Sequence, residues 1–200
     1  MPPKTEFSRE MILDAGLKIV REQGWEQLSA RAIANVLQCS TRPVYSSFSS
    51  MQEIKDLLGR QVNEMLVDYQ FRANTGKPFL DMGVGYVLFA RDEPELFRLF
   101  YLPHICSFDM EREMRITAKA RLLDKMKDDP EVPKLNDERT AKLLLNLKIF
   151  THGLACYITA GTYEFGEEEI VSLIKEAGNA FFRDEMNESG AESEHTDCRH

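Results

Sequence analysis

A chain of 200 residues, 43% of them hydrophobic, is long enough for one or two domains with a substantial core. No run approaches 18 apolar residues and no basic stretch leads into an apolar one at the N-terminus, so neither a membrane span nor a signal peptide is expected. A net charge of −8 argues against a chain that is basic throughout.

Residues 1–7 read as a short disordered arm. The first helix is predicted over 8–23, with Ile12, Ala15, Ile19 and Val20 as its buried stripe and Gly24 as terminator. Trp25 suits a plug for a small N-terminal core, which needs large aromatic groups. From Leu28 the residues Leu28, Ala32, Ile33, Val36 and Leu37 mark one helical face, and Gln38-Cys39 breaks it. Ser40 is a good N-cap for another short helix, with Pro43 in its first turn, where a missing N–H costs little. Val44 and Phe48 point one way in that helix. Thr41, Arg42 and Tyr45 share a different, polar face. Two short helices around a tight turn are the layout of a helix-turn-helix, whose second helix enters the DNA major groove by its N-terminal end.

Ser50 and Glu53 form an S-x-x-E capping box opening a long helix to about residue 74, striped by Ile54, Leu57, Leu58, Met65, Leu66 and Tyr69. Asn74-Thr75-Gly76-Lys77-Pro78 stops it. Further helices are predicted at about 79–91, 95–102, 108–127, 137–161 and 167–183. Asp128-Asp129-Pro130 and Val132-Pro133 make a loop, and Glu167, Glu168 and Glu169 suit the positive end of the last helix. Residues 184–200 are polar and without periodicity, hence expected to be a disordered acidic tail. No strand signal stands out. The fold class is all-α: a three-helix DNA-binding head over 1–55, a larger helical body over 56–183, about nine helices in all.

The charge divides along the same line. Residues 1–48 carry six Lys/Arg and five acids, net +1, and the remainder carries 19 basic and 28 acidic groups, net −9. The negative part lies in the half that should stay off DNA. A head this close to neutral would use helix N-termini and hydroxyls for phosphate contact as much as cations. Cys39, Cys106, Cys156 and Cys198 are far apart with no CxxC pair, which argues against a zinc site or a disulfide framework and for a reducing, cytoplasmic setting.

Residues 8–58 resemble the N-terminal domain of the TetR family of transcriptional repressors. The family run (T/S)xxxIAxxxGVSxxxxYxxFxxKExL is matched by Ser29, Ile33-Ala34, Cys39-Ser40, Tyr45, Phe48, Met51 and Glu53-Ile54. Gln38 stands where a turn glycine is usual, which implies either φ < 0 or modest strain there. Met51 stands where a phosphate-touching lysine is usual, so one phosphate contact is absent. A family branch with Ser-Thr-x-Pro-x-Tyr is similar in both respects, and Phe150-Thr151-His152-Gly153 is similar to a (W/F)xHG segment in the C-terminal part of one branch.

Position within a helix-turn-helix assigns roles. The N–H groups at the start of the third helix, with the hydroxyls of Ser40 and Thr41, suit phosphate. Arg42 is the candidate for paired hydrogen bonds to a guanine edge, worth about 1–3 kcal/mol of discrimination. Pro43 can meet a thymine methyl. The resemblance implies that Tyr45 gives its hydroxyl to phosphate. Ser29 and Arg31 would grip the opposite backbone, and Ser46 is a further contact. The plain alternative for each is a solvated surface residue.

One head alone would bind weakly, since non-specific contact gives Kd of roughly 10⁻⁴–10⁻⁶ M. A homodimer places two heads on half-sites about 34–36 Å apart on a palindromic operator. By resemblance the last two helices form the dimer surface, with Leu147, Phe150, Leu154, Ile158, Ile170, Leu173, Ile174, Ala177 and Phe181 as its apolar residues; the chain's own core is the rival use for about half of them. The family's repression is relieved by a small molecule in the body. Met82, Tyr86, Phe89, Phe97, Phe100, Tyr101, His104, Met110, Met114 and His152 are the candidate lining, suited to an apolar or aromatic effector with His104 or Tyr101 as polar handle. Ordinary core packing is the other reading of these side chains.

No catalytic set emerges: there is no Gly-rich phosphate loop, no HExxH and no Ser/His/acid or Cys/His arrangement, so neither enzyme activity nor a cofactor is expected. His195-x-x-Cys198-x-His200 could hold a metal but lies in the tail. The alternative function is a helical protein-interaction module with weakened or lost DNA binding, suggested by Met51 and the nearly neutral head.

Overall fold

The computed structural model describes residues 7–72, 75–132 and 134–196, with 186–196 as backbone alone. Every regular element among them is helical: α1 (Arg9–Gln23), α2 (Ala30–Val36), α3 (Arg42–Ser47), α4 (Met51–Arg72), α5 (Pro78–Asp92), α6 (Pro94–Phe97), α7 (Phe108–Asp128), α8 (Asp137–Thr159) and α9 (Glu167–Thr196). Two single 3-10 turns, Trp25–Gln27 and Arg98–Phe100, complete the set. The chain forms two compact units, Met1–Leu66 with Asp92–Ala118, and Val67–Arg91 with Lys119–His200, so α4 and α7 each run from one into the other.

In the first unit, Ser8 caps α1 by accepting from the Met11 amide at 3.1 Å, and Ile12, Ala15, Ile19 and Val20 form the expected buried stripe. Gly24 ends the helix at φ +90°, a region that costs a residue without Cβ little, and donates its N–H to Val20 O. Trp25 is 3% exposed and plugs the core. The expected stripe of α2 is only partly realised. Ala30, Ile33 and Ala34 are buried while Val36 is exposed and Ala32 and Leu37 are half-buried. Leu28 precedes the helix and Leu37 ends it, so helical spacing does not relate them to a common face.

The predicted helix over 95–102 is instead α6 followed by a 3-10 turn. Past Phe97 the chain tightens, Tyr101 N and Leu102 N both donating to Arg98 O at 3.2 and 2.9 Å, and Pro103 rules out a continuation beyond Leu102. α6 packs on α1, where Arg21 Nε donates to Glu93 at 2.8 Å.

In the second unit α8 and α9 pack together, with Leu143, Ala155 and Ile158 of α8 and Ile170 and Ile174 of α9 buried, Ile174 against Gly83 of α5. Asn136 caps α8 by accepting from the Arg139 amide at 2.9 Å. The buried Asp129 carboxylate accepts from the Phe79 amide at the start of α5 at 3.2 Å.

The helix expected to end at residue 183 continues to Thr196, so the 184–196 part of the expected disordered tail is helical backbone. A tertiary contact overrides composition here. Glu185 is 1% exposed, with Arg139 Nε donating to it at 3.1 Å and Lys142 Nζ at 3.3 Å from its other oxygen. The arm residues 1–6, Asn74, Pro133, the tail residues 197–200 and the side chains of the His195/Cys198/His200 set lie outside the described residues. No helix among the described residues is long and apolar enough to cross a membrane.

Candidate nucleic-acid interface

α2, the turn 37–41 and α3 form the helix-turn-helix. Ser29 opens it as N-cap of α2, its Oγ accepting from the Ala32 amide at 3.2 Å. The turn is held by Leu37 N donating to Ile33 O, Gln38 N to Asn35 O, and Cys39 N to Ala34 O. Gln38 has φ +52°, so of the two possibilities for a missing glycine, strain is the one realised. The cap of α3 differs from expectation. Thr41, not Ser40, is its N-cap, and it makes no side-chain cap bond, because its own backbone is already in the helical region at φ −71°, ψ −8°. Pro43 lies in the first turn, as expected.

α3 is two-sided. Val44 is 1% exposed and Phe48 is buried behind it, which anchors the helix to the head core. Tyr45 is 61% exposed, Arg42 and Ser46 are exposed, and Thr41 and Pro43 are half-buried. Ser40, Ser29 and Arg31 are also exposed. The structure therefore brings Ser40, Thr41, Arg42, Pro43 and Tyr45 together around the N-terminal half of one short helix. Neither Arg31 nor Arg42 is in an ion pair among the described residues, which leaves both guanidinium groups available. Ser46 is less suited than its position suggests, since its hydroxyl donates to Pro43 O at 3.0 Å. Its proton is thereby taken from a phosphate acceptor.

Sequence reasoning missed Arg9. From the first turn of α1 its guanidinium donates to Ser47 O and to Glu53 Oε1 at 2.7 Å, and lies 4.1 Å over the Phe48 ring. Glu53 also accepts from Ser49 N and Ser49 Oγ at 2.7 Å each, while its own amide donates to Ser50 Oγ at 3.1 Å. The capping box thus forms with its return bond one residue early. These donors, Arg9 foremost, hold the Glu53 carboxyl down at about 2. No periodicity could signal Arg9's part in it, since its partners Ser47 and Glu53 lie 38 and 44 positions away.

The candidate effector residues divide between the units. Met82, Tyr86, Phe89 and His152 belong to the second, where Tyr86 Oη and His152 Nδ1 are 2.8 Å apart. Burial pushes the Tyr86 phenol up and the His152 imidazole down, so both are neutral near pH 7. Phe97, Phe100, Tyr101, His104, Met110 and Met114 belong to the first. Phe89 and Phe97 are fully buried, and Met82 and Met110 are buried core residues. The expected handles Tyr101 and His104 are exposed, a position that a residue lining an enclosed pocket would not have. Two hollows of about 270 and 410 Å³ are lined by Asp109, Arg112, Glu113, Ile116 and Thr117, and by Ser50, Gln52, Glu53, Asp56, Leu57 and Arg60. Neither touches a candidate residue.

Of the expected dimer residues, Ile158, Ile170 and Ile174 are buried within the chain itself and leave little surface for a partner. Leu147, Phe150, Leu154, Leu173, Ala177 and Phe181 are half-buried, with the Phe150 and Phe181 rings edge to face at 6.5 Å. The open apolar stripe of α8 is Leu145, Ile149 and Tyr157, which the sequence reading did not select.

The chain as a whole is similar in fold to a solved structure: a TetR family transcription regulator from Marinobacter aquaeolei VT8, at TM-score 0.59 and 17% identity over 86% of this chain and 94% of that one. The fold is the TetR fold. No family model and no curated protein matches the sequence. Within the TetR fold the outer face of α3 is the surface of interest, because the anchoring of Val44 and Phe48 turns Arg42 and Tyr45 outward.

Proposed function

We propose that the protein is a dimeric, sequence-specific DNA-binding transcriptional regulator, acting as a repressor that a small-molecule effector releases. The observation that carries this reading is the two-sidedness of α3, with Val44 and Phe48 inside and Arg42 and Tyr45 outside. A polar, outward α3 in a helix-turn-helix has the chemistry to read a major groove: Arg42 for base edges, Ser40, Thr41 and Tyr45 for phosphates, Ser29 and Arg31 for the flanking backbone. The structural neighbour's description as a transcription regulator supports the same reading. Residues 1–55 would serve as the head and residues 56–183 as the effector-binding and dimerisation body.

Dimerisation would use the open α8 stripe of Leu145, Ile149 and Tyr157. Gly153 lies between them on the same helix with nothing within 4 Å of where a Cβ would sit, which permits close approach of a partner helix. The half-buried Leu147, Phe150, Leu154, Leu173, Ala177 and Phe181 would flank it. In the body, the Tyr86–His152 pair is better suited than Tyr101 or His104 as polar handle for an apolar or aromatic effector. Both groups are neutral and can exchange hydrogen bonds without desolvating a charge.

Selection from a pool of duplexes with randomised centres, followed by gel shift at low and moderate salt, tests the proposal. A palindrome should be enriched, and Arg42→Ala should remove the preference at one base pair of each half-site. Retention of no duplex even at low salt would overturn it in favour of a helical interaction module, the reading that Met51 and the head's charge of +1 favour.

A further inference from the structure

We infer that Arg9 is a positioning residue for the DNA-reading helix: it clamps the C-terminal end of α3 to the start of α4, so that α3 keeps one orientation without Arg9 touching DNA. The inference rests on the DNA-binding reading of α3 and adds a role to a residue outside the reading face.

α3 has six residues, and an isolated helix that short has no stability of its own. Its orientation must come from contacts. Val44 and Phe48 supply the apolar ones. At its C-terminal end the last carbonyls have no intrahelical donors, and the Ser47 carbonyl receives one from Arg9 Nη1. The other end of the same planar guanidinium donates to Glu53 Oε1 on α4, and its face covers the Phe48 ring. One group thus joins α1, the end of α3 and the first turn of α4. Glu53 is in turn held by Ser49 N and Ser49 Oγ in the connection between α3 and α4, which closes a network around that connection. A guanidinium can make two coplanar donations while stacking; an ammonium cannot.

A basic residue this near a DNA-binding surface has another obvious use, contact with phosphate, and the two uses differ in three readouts. For a positioning role, Arg9→Ala and Arg9→Lys should both weaken binding to the enriched duplex, of order tenfold. The slope of log Kd against log salt should stay as in the wild type. In the free protein, Arg9→Ala should speed hydrogen exchange at the Tyr45 and Phe48 amides while those of Ile54 and Leu58 keep their protection. Arg9→Met, combined with Glu53→Gln in a double-mutant cycle, should show the two losses to be non-additive. Recovery of wild-type affinity by Arg9→Lys, with a salt slope reduced by about 1 in Arg9→Ala, would make Arg9 a phosphate contact and overturn the inference. Unchanged exchange at Tyr45 and Phe48 would overturn it as well. If the wild type selects no duplex, the DNA-binding reading fails, while the exchange experiment still decides whether Arg9 orients α3.

Discussion

Gly85 on α5 lies against the backbone of Tyr69 on α4, so close that a Cβ on Gly85 would sit 2.5 Å from the Tyr69 carbonyl oxygen and 2.6 Å from the Gln70 amide nitrogen. Main chain cannot move aside as a side-chain tip can. Gly85→Ala should therefore separate the two helices and cost about 3 kcal/mol or more, at the upper end for overpacking. Gly59→Ala makes a useful contrast, because there the new methyl would overlap the Cys106 sulfur, a side chain. Its loss should be smaller, about 1–2 kcal/mol, and should be relieved in Gly59→Ala/Cys106→Ala. Urea midpoints for the four proteins check both statements. An equal loss at the two glycines would refute the account.

Gln38 holds the turn of the helix-turn-helix at φ +52°, where an L side chain is strained by roughly 1–2 kcal/mol. Gln38→Gly should remove that strain while adding freedom to the unfolded chain, for a net gain of about 0.5–1 kcal/mol. Thermal unfolding measures it; a lowered midpoint would mean the Gln38 side chain contributes more than its backbone costs.

The Glu53 carboxyl is held down to about 2 from an ordinary 4.5 by Arg9 and Ser49. A depressed carboxyl stabilises the folded state fully above its unfolded value, and the contribution fades as pH falls from about 4.5 toward 2. The difference in thermal midpoint between wild type and Glu53→Gln should be constant from pH 7 to 5.5 and shrink by pH 3. A difference that persists undiminished at pH 3 would show that the charge on Glu53 is not what matters.

Glu185, almost fully buried between α8 and α9, depends on Arg139. Arg139→Ala leaves the carboxylate with Lys142 alone and should destabilise by about 3 kcal/mol, whereas Arg139→Met/Glu185→Met should come close to wild type. Chemical denaturation of the two variants decides. The reverse order would make Glu185 a peripheral residue.

Ile149, 62% exposed in the middle of the open α8 stripe, is the residue on which the proposed dimer can be tested. Ile149→Glu should leave the thermal midpoint of the monomer fold little changed and shift sedimentation from dimer to monomer. A wild type that sediments as a monomer at all concentrations would remove the dimer from the proposal.

The helix-turn-helix could be read in the residues because its signals are local. A terminating Gly24, a Pro43 well suited to a first turn and the four-residue step from Val44 to Phe48 each act within a turn or two of chain. Hydrophobic spacing likewise placed most of the long helices, since an apolar stripe repeats at the helical period wherever the helix is long enough to bury it. Short α2 is where the period misled, and the segment after Phe97 is where a helix of one turn gives way to a 3-10 turn that periodicity does not distinguish.

The amino-acid order by itself determined the all-α class, the head and the polar face of α3, because caps, turns and periodicity are properties of neighbours in sequence. Three things were decided only when distant segments met: which face of α8 stays open, that Glu185 belongs to a packed helix, and that Arg9 reaches Ser47 and Glu53. Each depends on a side chain whose partner is tens of residues away. The free energy of such a contact comes from desolvation and geometry in three dimensions, and no window along the chain contains both of its halves.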